Sequence, residues 1–78
     1  MPDLEQERAH LALADQHIAA GEKRVADQTR LVAHLIEQGR DTANARDLLC
    51  LLEETLVNWR GHRLLILEAI ARHTPSAP

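Results

Sequence analysis

Between Pro2 and Pro75 the chain has no proline, and across that span a single stretch, EQGRDTANA at residues 37–45, reads as an interruption. Proline is the strongest helix breaker, so its absence lets helices run as far as the side-chain pattern supports them. Pro2 and Asp3 form a start signal. The Asp3 carboxylate can accept first-turn amides, Gln6 stands three residues on as in a capping box, and Glu5 and Glu7 suit the positive end of the helix dipole. Gly39 suits the left-handed position that ends a helix, and Asp41 or Thr42 suits the N-cap of the next. The pattern predicts one all-α domain over residues 1–78: helix 3–38, turn 39–41, helix 42–73 and a frayed tail at 74–78, opened by the stop signal TPSAP. Each helix is expected to be about 50 Å long at ~1.5 Å per residue. So short a loop lays the two antiparallel, side by side.

The first helix carries Leu4, Leu11, Ile18, Val25 and Val32 at strict seven-residue intervals, the a positions of a heptad. Its d positions read Glu7, Ala14, Gly21, Gln28 and Leu35, so only the last is a good apolar knob and the stripe is narrow. A glycine inside a helix costs about 1 kcal/mol against alanine. The simplest reason for Gly21 is a large side chain crossing it, and in a hairpin folded about residue 40 the nearby candidates are Trp59 and Arg63. Gln28 resembles the polar core residue that sets register and oligomer number in coiled coils.

The second helix is the reverse. Ala45, Leu49, Leu52, Leu56, Trp59, Ile66 and Ile70 follow a heptad seam with Arg63 in its middle. Leu48, Cys50, Val57, Leu64 and Leu67 widen that seam, and Leu51 and Leu65 lie on the back. A two-helix contact covers one stripe of each helix, which leaves the run LLCLLEETLVNWR, Leu48 to Arg60, short of cover. A chain of 78 residues also has difficulty enclosing a core without a disulfide, metal or partner. The expectation is therefore a homodimer or higher bundle, most simply two hairpins closing a four-helix bundle about a two-fold axis. Its interface is expected to comprise Leu48, Leu49, Leu52, Leu56, Trp59, Arg63, Ile66, Leu67 and Ile70.

Several classes of function are disfavoured. Nine basic residues scattered among twelve acidic ones, for a net charge of −3, do not make the concentrated basic surface that phosphate binding needs. The start MPDLEQE lacks the basic-then-apolar order of a signal peptide, and no apolar run approaches the roughly 18 residues that span a bilayer. One cysteine, Cys50, allows no intrachain disulfide. These features point to a soluble cytoplasmic chain with no membrane partner.

Side chains able to do chemistry are few and dispersed. Of five histidines, His10 and His17 lie seven apart on one flank, and His17 is expected near His62 across the hairpin. Neutral imidazoles there, with Asp15 or Glu22, could bind zinc or titrate together near pH 6. No His-x-x-x-His pair supports this, and solvated flanking histidines are the simpler expectation. Arg63, inside an apolar seam, calls for a carboxylate, with Asp15 or Glu22, or an acidic residue of another subunit, the natural partners. Glu53, Glu54 and Arg60 are expected to face solvent or another subunit, Glu68 and Arg72 to pair along the helix, Cys50 to pack inertly among leucines, and Trp59 to be the large knob of the core. No catalytic group, cofactor or resident metal is assigned, and an enzyme is not expected.

The reading that follows is a structural or protein–protein interaction module that pairs with itself and could present its outer faces to another protein. One alternative is a nucleic-acid-binding regulator on the same bundle. It resembles the plasmid Rop proteins in shape, without a shared motif. The other is a histidine-based metal-binding or pH-responsive bundle.

Overall fold

The computed structural model describes residues 3–73, so the expectation for the tail at 74–78 lies outside the described residues. Two helices, α1 (Leu4–Glu37) and α2 (Ala43–His73), pack against each other as an antiparallel hairpin. Asp3 caps α1 from extended backbone (φ −89°, ψ 172°), its Oδ1 accepting the Gln6 amide at 2.8 Å. That bond satisfies one of the amides that every helix start leaves without an internal partner.

The turn is a sequence-encoded stop and restart. Gly39 takes φ +66°, its amide donates to the Ile36 carbonyl at 3.0 Å, and the Arg40 amide reaches back to the Leu35 carbonyl at 2.9 Å. This pair of bonds is the Schellman ending, and it places a left-handed residue where only glycine is free of a Cβ penalty. The choice between Asp41 and Thr42 resolves into a division of labour. The Thr42 carbonyl accepts the first bond of α2 from Arg46 at 2.8 Å, while the Asp41 carboxylate takes the Ala43 amide at 2.9 Å.

Every a and d residue of α1 from Leu4 to Leu35 is withdrawn from solvent to some degree, and the rest of that helix is exposed. On α2 the covered positions are Ala45, Leu49, Leu52, Leu56, Trp59, Arg63, Ile66 and Ile70, with Leu67 and Ala69 beside them. Even so, the apolar side chains reckoned as buried among the described residues are Ala14, Val32, Leu56 and Ile66. Glu7 joins them at 6% exposure, so the seam closes over a carboxylate that heptad reasoning marks as a poor knob.

Gly21 is crossed by Leu56 and not by Trp59 or Arg63: a Cβ built on Gly21 would stand 3.2 Å from Leu56 Cδ1. The register explains the correction. Trp59 lies almost a turn further along α2, where it stacks on His17, and Arg63 pairs with Asp15. Gly61, by contrast, has nothing within 4 Å of such a Cβ.

The hairpin is a rod of 62 × 23 × 14 Å with a radius of gyration of 17.8 Å, against about 11.5 Å for a globular chain of this length. Its accessible surface is 6033 Å² for 8.7 kDa. A compact monomer of that mass exposes about 4,700 Å². No helix among the described residues is long and apolar enough to cross a membrane.

The two helical glycines provide a matched test of the packing. Gly61→Ala is expected to raise unfolding free energy by about 1 kcal/mol, the ordinary helix-interior gain. Gly21→Ala should gain less, because Leu56 must shift, and Gly21→Val should lose about 1–3 kcal/mol through overpacking. Urea denaturation at one fixed protein concentration measures all three. Equal gains for the two alanine variants would show that Leu56 does not bear on Gly21.

Candidate interaction surface

The seam divides the outside of the hairpin into two flanks of different chemistry. On one flank the charges are matched within the chain. Arg63 Nε lies 2.6 Å from Asp15 Oδ1, and Arg60 Nη2 stands 3.7 Å from Glu22 Oε2. Of its expected partners Arg63 thus takes Asp15, its stem packing along the seam while its head reaches the edge. Arg60, expected to face solvent or another subunit, pairs within the hairpin. The side chains of the Arg63 pair are 38% and 53% exposed, so solvent screens the attraction and limits it to under about 1 kcal/mol.

The other flank is built around Trp59. The His17 ring stacks on the indole, with centroids 4.2 Å apart and planes 11° from parallel. His62 meets the same indole edge-on at 5.6 Å and 72°. The two imidazoles come to one neighbourhood as the spacing predicts, each engaged by the indole face or edge. Among the described residues no group of three or more His, Cys, Asp and Glu side chains is placed to hold a metal ion. His10, His34 and His73 are exposed elsewhere. A shallow hollow beside the indole is lined by Thr55, Asn58, Trp59 and His62.

Gln28 bridges the helices. Its Nε2 donates to the Ala45 carbonyl at 2.9 Å, a contact that holds register close to the turn. The hydroxyls of Thr29 and Thr55 bond back to Val25 and Leu51 carbonyls of their own turns, and Arg30 pairs with Asp27. Those contacts are local to each helix.

Of the residues expected at an oligomer interface, Leu49, Leu52, Leu56, Trp59, Arg63, Ile66 and Ile70 sit in the seam against α1, and Leu67 is half-buried beside it. The open apolar surface lies elsewhere: Leu48 is 46% exposed, Leu51 59%, Leu64 60%, Leu65 61% and Val57 64%, with Leu13, Leu31 and Ile36 on α1. Cys50 is a correction. It is exposed, not packed among leucines, because the leucines before and after it turn to other sides of the helix.

Seven-residue spacing assigns these side chains to flanks. Leu31 stands two heptads from His17, and Leu48 two heptads from His62. Leu51 and Leu65 stand one heptad either side of Asn58, which lines the hollow by Trp59. The tryptophan flank therefore collects most of the large open apolar side chains. The ion-pair flank keeps Val57 and Leu64, bordered by Glu53 and Arg60, which line a second groove with Glu22 and Leu56. Reading each helix only for its main seam misses this concentration.

No protein-family model matches the chain, and comparisons with curated proteins and with solved structures likewise returned no match.

The cross-helix contacts separate by their response to salt. Asp15→Ala is expected to cost under about 1 kcal/mol, and less still at high ionic strength. Gln28→Ala should cost about 1 kcal/mol with little salt dependence, since a neutral amide bond is lost. Urea midpoints at low and high sodium chloride check both, and equal salt sensitivity would contradict this division.

Proposed function

We propose that the chain is a self-associating helical hairpin, a structural or protein–protein interaction module whose working surface is the open apolar side of α2. The observation that carries this is the surface balance. The hairpin exposes 6033 Å², roughly 1,300 Å² more than a compact monomer of its mass. A standard protein–protein interface takes about 800 Å² from each partner. The excess is larger than that share, so the hairpin has surface enough to give to one standard interface with a second copy.

The side chains concerned support the same conclusion. Leu48, Leu51, Leu64 and Leu65 are each open by about half or more, which is unusual for so many leucines on one helix of a small protein. The seam itself is thin, since Leu49, Leu52, Trp59 and Ile70 remain only half-buried with α1 in place. Two hairpins closing a four-helix bundle would deepen that seam while covering Leu48, Leu51 and Leu65. In this reading α2 is central to the assembly and α1 is the outer brace.

The nucleic-acid alternative gains little. Arg60 and Arg63 are matched by Glu22 and Asp15, so neither is a spare cation for phosphate. The leucines give the interaction reading something to act through, and no comparable concentration of charge serves the other.

Light scattering over a dilution series tests the proposal. A mass holding at twice 8.7 kDa to low micromolar concentration is the expected result. A mass of one chain throughout would overturn self-association and make the leucine face a site for a different protein.

A further inference from the structure

We propose that the second copy docks antiparallel along α2 of the first, on the tryptophan flank, with the two-fold axis crossing at Asn58. This rests on the self-association reading and adds to it a face, a direction and a register. The contact stripe runs from Leu48 and Leu51 through Asn58 to Leu65 and Ala69, positions separated by steps of three and four residues that keep to one side of a helix. It is distinct from the seam against α1.

The middle of the stripe is shaped to receive a side chain. Thr55, Asn58, Trp59 and His62 line a hollow, and their spacing of i, i+3, i+4 and i+7 is the four-residue outline into which a coiled-coil knob fits. The indole of Trp59, held by His17 from α1, forms part of its wall.

Register follows from the sequence of the stripe. Leu51 lies seven residues before Asn58 and Leu65 seven after it. Turning a second copy half a revolution about Asn58 lays Leu51 on Leu65 of that copy, and Leu65 on its Leu51. Leu48 then lies level with Glu68, one residue short of Ala69, which is the nearest stripe residue of the other copy and a small one, and the two Asn58 amides face each other. A self-matched asparagine is a known register lock between helices.

Direction follows from the helix dipoles, which oppose each other when two copies of α2 lie antiparallel. Charge adds to this. Residues 43–57 carry Asp47, Glu53 and Glu54 against Arg46, so parallel docking sets two acidic halves side by side. Antiparallel docking sets each acidic half beside a balanced one, where Arg60 and Arg63 are matched by Glu22 and Asp15 and Arg72 stands against Glu68. The ion-pair flank is the poorer face, because docking there would cover Arg60 with Glu22 and Arg63 with Asp15, and desolvating matched charges is costly.

Disulfide trapping reads the geometry directly. In a full-length Cys50→Ser background, which removes the single native thiol, chains carrying Leu51→Cys and chains carrying Leu65→Cys are oxidised alone and as a mixture, then run on non-reducing gels. Mass by light scattering is measured before oxidation. A dimer band at least several-fold stronger in the mixture than in either variant alone is the expected result, because only opposed positions bring the thiols within bonding range. Equal trapping of Leu51→Cys with itself would overturn the antiparallel direction. A dimeric mass with no trapped band in any sample would place the interface on another face and overturn this inference alone. A mass of one chain, for these variants and for the unsubstituted protein, would remove self-association with it.

Discussion

Two helices in contact can bury only one stripe of each, and the rest of this hairpin depends on which stripes those are. On α1 the contact line alternates branched or long residues with Glu7, Ala14, Gly21 and Gln28, so it offers recesses more than knobs. On α2 the opposing line offers Leu49, Leu52, Leu56, Trp59 and Ile66. The fit is large into small, with Leu56 across Gly21 as its tightest point. Close approach at that point is bought with a narrow seam, and a narrow seam leaves most of the apolar circumference of α2 without cover.

The flanks then differ for a reason that lies in α1. Asp15 and Glu22 project to one side of the seam, where they meet Arg63 and Arg60. His17 projects to the other, where it lies flat on Trp59. Charges satisfied within the chain make the first flank costly to cover and cheap to leave in water. On the second flank aromatic rings and leucines occupy the surface, and these lose little when water is removed from them. One helix of modest composition thus decides which side of its partner remains available.

Much of this was legible in the sequence, and the parts that were not share a cause. Helix ends are local chemistry, so Asp3, Gly39 and Asp41 announce the caps that the backbone adopts. Heptad position gives an angle around the helix, and the a and d residues of α1 are the covered ones. An angle says nothing about height along the axis. Height is fixed by how many residues the turn consumes, which is why Gly21 meets Leu56 while Trp59 and Arg63, both plausible from the wheel, lie further along. Cys50 differs in kind: a run of apolar letters suggests a buried run, but five consecutive residues of a helix point in all directions, and Cys50 is exposed. The indole between two imidazoles needed angle and height together, and only three dimensions supply both.

The polar centre of the proposed contact stripe is part of its specificity. A stripe of leucine from end to end would bind any amphipathic helix in several registers, because each shift by seven residues would bury the same groups. With Thr55, Asn58 and His62 between the leucine ends, a shift by one heptad places Leu51 or Leu65 against a polar group of the other copy. The mismatched amide or imidazole then loses water without gaining a partner, which costs more than an unmade apolar contact. Centring on Asn58 avoids that mismatch. The leucines supply the attraction, the polar residues between them select the alignment, and a short chain with one seam of its own thereby acquires a preferred second copy.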